Sequence, residues 1–532
     1  SQYVATSYNI YYAPEGTPLT KATATRLTLN GGNFYAVQGL TNGITYQFMV
    51  TAANHNGEGP ESDQVTAKPS PISQEDLQGT WYFHTLVCGP GAKWERGSVS
   101  INAAGDAVFL DFMDSAHHNP VDDTTTYVAP PPDVVLLVQG LKGELAMSGT
   151  NAWPAFHGWM GSRKNMMVGT WTYAVDNSRA ITVFQKKRAV DDYDVWDVAG
   201  TGSQNPRYPA LQGNGPTRFA YHGLNSGSSI EWEYSNARVG QQAQFWSPPV
   251  STLFPEGINS IKDIIFWDYS TPNYKTWPMW DLLWKVTCFG VQPDGLVKEY
   301  DSFADTTDGY RNIIFTGRMT DDKTVIVGVS TKNAIDPTYN STGSIITVPG
   351  QYFMRILQLN FIPTDQSMPT YTLADLAGNY KFHKIGTAMN AGVAQASWAY
   401  GMMQITTGGV TTFPQYADSS SATSTPDTFT LAYYPDTGSD NHTWTTFANF
   451  VSPNTGAVDA YARYYNPSAQ PYVETWTWWN RLTTLTQSGE GVRQVMPATT
   501  YFNEHGTLSY VRDLFVLTRT DGFGYSMIIG LK

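Results

Sequence analysis

With 532 residues, a formal net charge of -13 at pH 7, and 14% aromatic and 14% charged side chains, the chain has the length of three or more domains. Its composition is that of an all-β extracellular or surface protein. The acidic balance argues against nucleic acid or an anionic membrane surface as partner, because both require a cationic footprint. No apolar run approaches the ~20 residues of a membrane-spanning helix, and no signal peptide stands at the first residue, so membrane insertion is not expected. The two cysteines, Cys88 and Cys288, lack the CxxC spacing of zinc, iron–sulfur or haem sites. They can form one disulfide or stand as two separate thiols, and the sequence leaves both open.

The first element in chain order is SYNIYYAPEG (7–16), in which Tyr8, Ile10 and Tyr12 alternate with Asn9 and Tyr11 as on a strand. Residues 40–62 then carry Leu40, Gly43, Tyr46, Val50, Ala52, Asn54, Gly57, Gly59 and Ser62. On those residues the first 68 positions resemble the second half of a fibronectin type III domain, with Ile44 in place of the usual threonine and Asn42 in place of the turn proline. The resemblance implies that Tyr46 is the corner tyrosine whose hydroxyl ties the loop to the following strand. It also makes 7–16 the third strand, with Tyr8, Ile10 and Tyr12 sharing a core with Tyr46, Phe48 and Val50. The first two strands of such a sandwich have no counterpart here, and an open core with an unpaired edge is costly in water. A fragment of a longer chain is the expectation. The alternative is strand donation by a neighbouring subunit, which would lay foreign strands against residues 8–12 and build a filament.

A linker follows at 69–75, where prolines and short polar residues suit an extended connector. After it, Trp94, Trp284 and Trp398 are each followed by a glycine eleven positions on, at Gly105, Gly295 and Gly409. Apolar residues stand five and seven after each tryptophan: Val99 and Ile101, Phe289 and Val291, Met403 and Ile405. That is one strand with a buried face, ending in a glycine turn and occurring three times. DLQGTWYFHTL (76–86) has a sister in DLAGNYKFHKI (375–385), and IKDIIFWDYS (261–270) reads as a degenerate middle copy. A closing hairpin with a polar turn recurs at 156–172 and 315–331, and the chain's end at 517–530 has the same length and finish. The modules are expected at 76–260, with a long insert, then at 261–370 and 371–532.

Each module holds about eight strands. The expected fold is therefore all-β: a partial fibronectin type III sandwich followed by a three-module, six-bladed β-propeller. The alternative is three tandem eight-stranded lipocalin-like barrels, since the Gly-x-Trp of residues 79–81 resembles the opening strand of that family.

Few residues point to chemistry. His84 and His383 occupy equivalent strands, which favours a hydrogen-bonding framework role over catalysis. His117 and His118 stand in a polar loop whose proline makes metal binding by the loop alone uncommon. Asp191, Asp192, Asp194 and Asp197 form an acidic run that suits calcium, although it lacks the glycine and closing glutamate of an EF-hand. Trp277, Trp280, Trp476 and Trp478 sit beside polar residues, as sugar-binding platforms do, but indoles also fill cores and protein interfaces. No GxSxG, HExxH or phosphate-cradling motif occurs. The expectation is a non-catalytic, secreted or cell-surface structural or adhesive protein that works through protein contacts or self-assembly, with no cofactor unless calcium binds. A glycan-binding protein is the alternative, and a propeller glycoside hydrolase with paired carboxylates comes third.

Overall fold

A computed structural model of the chain describes, with gaps that include 30–36 and 336–344, residues 5–187, 217–239, 260–268, 286–300, 313–361, 375–419, 447–463, 476–477, 492–493 and 501–532. Regular structure in these segments is almost wholly β-strand, with a single 3-10 turn at Gln74–Leu77. Among the described residues no helix is long and apolar enough to cross a membrane.

The N-terminal sheet is antiparallel. Thr25–Leu29 pairs with Ser7–Pro14, which pairs with Tyr46–Asn54; that strand in turn carries Gly57–Glu61 and Val65–Ala67. The backbone N–H of Thr41 donates to the hydroxyl of Tyr46 at 3.1 Å, the contact expected of a corner tyrosine.

After the linker, eight strands form one meander: Gly79–Cys88, Lys93–Ile101, Asp106–Asp114, Val134–Gln139, Glu144–Ser148, His157–Met160, Met166–Thr172 and Arg179–Lys186. The last pairs with the first, so the sheet closes on itself as a barrel. Closure removes both exposed edges. The propeller expectation therefore fails for this module: strands assigned to two blades form one barrel, as in the alternative reading.

The same meander recurs. A second ring of ladders runs through Thr217–Asn225, Ser229–Val239, Ser260–Asp263, Val286–Val291, Leu296–Tyr300, Ile313–Met319, Val325–Ile335 and Ile345–Phe361, and the last of these pairs with the first. A third meander starts at Gly378–Asn390 and ends at Leu514–Asp521 and Gly524–Leu531, with its final strand again paired to its opening one. Its described strands form one eight-stranded sheet with no ladder between its end strands Thr411–Asp418 and Phe447–Ser452, and by its matching positions it is the third barrel of the set.

Three sequence boundaries move in consequence. Thr217–Asn225 and Ser229–Val239 belong to the second ring rather than to an insert in a first module of 76–260. The middle opening strand is Thr217–Asn225, not 261–270. In the third module, the polar turn equivalent to Gly161–Met166 and Thr320–Val325 is Ser509–Leu514. In each turn the first residue's N–H donates to the last residue's carbonyl, at 3.0, 2.8 and 2.8 Å. Residues 517–530 therefore lie one hairpin beyond the equivalents of 156–172 and 315–331, because alternating apolar strands followed by a glycine look alike at either register.

Strand periodicity separates two cores. Inward residues of the first barrel, among them Trp81, Phe83, Val99, Ile101, Phe109 and Phe184, fill its interior. Outward residues Leu86, Cys88, Trp94, Val168 and Val183 join Leu224, Val327 and Ile356 of the second ring and Ile385, Trp398 and Val516 of the third in one shared cluster. The three sheets are therefore packed outer face to outer face around a common apolar centre.

Candidate functional site

Two places in this architecture carry more than framework: the seams where the barrels meet, and the open face of the N-terminal sheet.

The seams are built from matched positions. The opening strands read aromatic, any residue, aromatic, histidine three times: Trp81 to His84, Phe219 to His222 and Tyr380 to His383. Pairing with the closing strands places the three histidines in register, opposite Val183, Ile356 and Ile529. All three are buried. His222 Nδ1 lies 3.3 Å from Thr518 Oγ1 of the third barrel, and His383 Nδ1 lies 3.1 Å from Thr170 Oγ1 of the first. Thr170 and Thr518 each lie four residues beyond the closing residue of their polar turn, Met166 and Leu514. Counting four beyond Val325 gives Val329, which has no hydroxyl. His84 accordingly has no hydrogen-bond partner at Nδ1.

The tryptophans follow the same cycle. The Trp94 indole N–H donates to Thr331 Oγ1 of the second barrel at 3.1 Å, and that of Trp398 donates to Thr172 Oγ1 of the first at 2.9 Å. Locally the two are alike as well. Trp94 is tied to Ser115 and Trp398 to Ser419 by a serine hydroxyl on the tryptophan N–H and a serine N–H on its carbonyl. A single buried face on this strand would place the indoles in the core of each sheet. They point the other way, outward into the seam, while Val99 and Ile101 face inward, because an odd offset on a strand reverses the face. Gly105 and Gly295, eleven residues after Trp94 and Trp284, adopt φ of 94° and 81°, a left-handed turn that favours glycine.

A third link is glutamine to carbonyl. Gln185 Nε2 donates to Arg318 O at 2.9 Å, and Gln358 Nε2 donates to Leu514 O at 3.0 Å. In the third barrel Leu531 takes the matching place, paired to Leu514 as Gln185 is to Met166. There the adjacent Lys532 carbonyl accepts the Ser162 N–H at 3.1 Å. Where the polar turns converge, the Arg163 guanidinium meets Asp322 and, at 3.4 Å, Asp513. First barrel thus grips second, second grips third and third grips first, a head-to-tail arrangement that closes.

Burial dictates the electrostatics here. It holds the imidazole of His222 down at about 3. Burial, with the charges of Arg96 and Arg318, holds His84 well below the usual histidine range. Burial and the neighbouring His157 do the same to His383. The Cys88 thiol, free and buried in the shared cluster, is pushed up to about 12 by desolvation. It is not in a disulfide, so the disulfide alternative fails; the Cys288 side chain lies outside the described residues.

The missing Thr at Val329 makes a prediction. Val329→Thr supplies the acceptor that its two counterparts already have, and one added buried hydrogen bond contributes about 1 kcal/mol. The variant is expected to raise the urea midpoint at neutral pH, and an unchanged or lowered midpoint would contradict the matched-seam assignment.

The N-terminal sheet has two unlike faces. Asn9, Tyr11, Ala13, Met49 and Thr51 are buried, with Leu19 packed among the apolar members. The opposite face carries Tyr8, Ile10, Tyr12, Phe48 and Val50. Pairing sets Tyr12 beside Phe48 and Ile10 beside Val50, and the Tyr12 ring stacks on Phe48 with centroids 6.0 Å apart. The expected core partners do share a face. Apart from Tyr46, however, that face is half-buried or open among the described residues, with Val50 36% and Val65 61% exposed.

The other candidates from sequence fare differently. Asp191, Asp192, Asp194 and Asp197, suggested for calcium, and Trp277, Trp280, Trp284 and Trp478 lie outside the described residues. Trp476 opens a two-residue strand paired with Val492–Arg493, and its side chain lies outside them too. His117 pairs with Asp114 at 2.7 Å, and His118 sits edge-on to Trp94 with ring centroids 5.0 Å apart. Among the described residues no three His, Cys, Asp or Glu side chains form a metal-sized group. His222 is the seam residue that sequence reasoning missed, although its aromatic-x-aromatic-His signal was present.

Residues 2–68 match the family model of the fibronectin type III domain. No curated protein matches the chain. Among solved structures it is similar to the isotype 1 transferrin binding protein B from serogroup B Neisseria meningitidis, at 7% identity and a TM-score of 0.21 over 100% of this chain and 99% of that one. It is also similar to a mutant transferrin binding protein B from Haemophilus parasuis, at 8% identity and 0.19 over 100% and 96%. TM-scores this low carry no argument; the first two barrels rest on their closing hydrogen-bond ladders, and the third on the positions that its eight-stranded sheet shares with them.

Proposed function

We propose that this is a non-catalytic extracellular or cell-surface protein, in which three barrels form a rigid body and the fibronectin type III sheet takes a protein partner. The observation that carries this reading is the apolar face of Tyr8, Ile10, Tyr12, Phe48 and Val50, laid out in register on a fibronectin type III sheet and half-buried or exposed among the described residues. In that family such a face packs on a second sheet. The natural occupant is thus an extended strand or hairpin that presents alternating apolar side chains. A second copy of this chain is the partner favoured here, which makes the protein an assembly subunit.

The first barrel supports a binding scaffold over a small-molecule carrier. Its interior holds side chains where a carrier would hold a ligand: the Trp153 ring stacks on Trp171 at 4.5 Å, and Phe83 meets Phe109 edge-on at 5.4 Å. At one end Tyr173 donates to Glu95 at 2.5 Å, and Lys93 pairs with the same carboxylate at 2.7 Å.

Sedimentation velocity over rising concentration is the test, beside negative-stain microscopy. Wild type is expected to associate, and Val50→Lys, a charge on an already exposed position, to remain monomeric with unchanged strand content. A wild type that stays monomeric at every concentration, or a Val50→Lys variant that associates equally, overturns self-assembly through this face.

A further inference from the structure

Each seam of the closed ring buries one histidine at the same place: His84 between the first and second barrels, His222 between the second and third, and His383 between the third and first. We infer that mild acid opens this ring, separating three barrels that themselves stay folded, because protonated imidazoles cannot be accommodated at these three positions. The inference is independent of the partner reading above and goes beyond it.

The surroundings of each imidazole are set for the neutral form. His84 faces Arg96 on the adjoining strand, where the two residues are paired, and feels Arg318 of the second barrel. A third positive charge there meets two guanidiniums. His383 lies 5.5 Å, ring to ring, from His157 and 5.9 Å from Tyr400, with Thr170 on its Nδ1. His157 in turn stacks on Tyr400 at 3.6 Å and contacts Glu144 at 3.0 Å. Protonating both histidines of that pair sets like charges together at one seam. His222 has the Thr518 hydroxyl, and its displacement has burial as its cause. Moreover, these side chains point outward from their barrels, so separating the barrels returns them to water without unravelling any ladder.

The sign follows from linkage. In the closed ring the three imidazoles hold a depressed pKa; in the opened form they titrate near the ordinary value of about 6.5. The closed form therefore has its full advantage above about pH 6.5. Below that, each histidine shifts the equilibrium toward the open form by about tenfold per pH unit, or about a thousandfold for three. The loss continues toward the closed-state value, about 3 at His222.

The full chain is titrated from pH 7.5 to 4.5 by small-angle scattering, tryptophan emission and far-ultraviolet dichroism. The radius of gyration should rise and the emission shift to the red, while the strand signal persists and both changes reverse on neutralisation. The His84→Leu, His222→Gln, His383→Gln triple variant should stay compact through the same range. His84→Leu alone should open at lower pH and with a shallower pH slope, by about one proton of uptake. The slope matters, since a merely stabilising substitution moves the midpoint and leaves it unchanged. Wild type compact down to pH 4.5, strand signal lost in step with compactness, or a His84→Leu slope equal to wild type would each overturn the inference. If the triple variant does not fold, the single variant decides.

Discussion

Trp94→Ala should lower the stability of the protein by about 3–5 kcal/mol, the range for truncating a buried aromatic side chain. Trp94 is fully buried in the cluster shared by all three barrels. Arg96 lies over its ring at 4.8 Å, His118 meets it edge-on, and its N–H reaches Thr331. Removing it opens a cavity between two barrels rather than inside one. Denaturation followed by both dichroism and scattering should therefore show compactness failing before strand content does. Trp398→Ala should act in the same way at the other seam of the first barrel. A loss of only a few tenths of a kcal/mol, or a simultaneous loss of both signals, would mean that the indole serves no seam.

Gly97→Ala is expected to cost about 1–3 kcal/mol or more, the usual penalty for overpacking, despite being a small change on a strand. A Cβ at Gly97 would run into the backbone carbonyl of Asp111 on the adjoining strand, beside a register shift between Ser98 and Val99. Gly401, three residues after Trp398 as Gly97 is three after Trp94, would meet the carbonyl of Gln415 in the same way, beside a shift between Met402 and Gln404. Backbone cannot swing aside as a long side chain can, so the barrel must distort. Thermal unfolding of Gly97→Ala and Gly401→Ala tests this directly. Melting temperatures equal to wild type would show that the strands cross with room to spare.

Much of this was written in local chemistry. The alternation of Tyr8, Ile10 and Tyr12, the corner at Tyr46, the tryptophan-to-glycine strand and the paired Asp-Leu-x-Gly openings are all legible, because strand period and turn chemistry act over a few residues. The sister openings hold in three dimensions: Lys186 and Lys532 donate to the carbonyls of Asp76 and Asp375, both at 2.8 Å. All-β architecture and threefold repetition followed from sequence alone. What did not follow was how eight strands end. A propeller blade pair and a barrel share the same alternation, and only the ladder between Arg179–Lys186 and Gly79–Cys88 distinguishes them. Which face of a strand is a core was equally hidden. Trp94 and Val99 are both apolar and both buried, yet one belongs to the seam and the other to the barrel interior. The seam itself joins residues more than two hundred positions apart, such as Trp94 with Thr331 and His383 with Thr170. Such partners are chosen by the packing of whole barrels, and no local pattern encodes that choice.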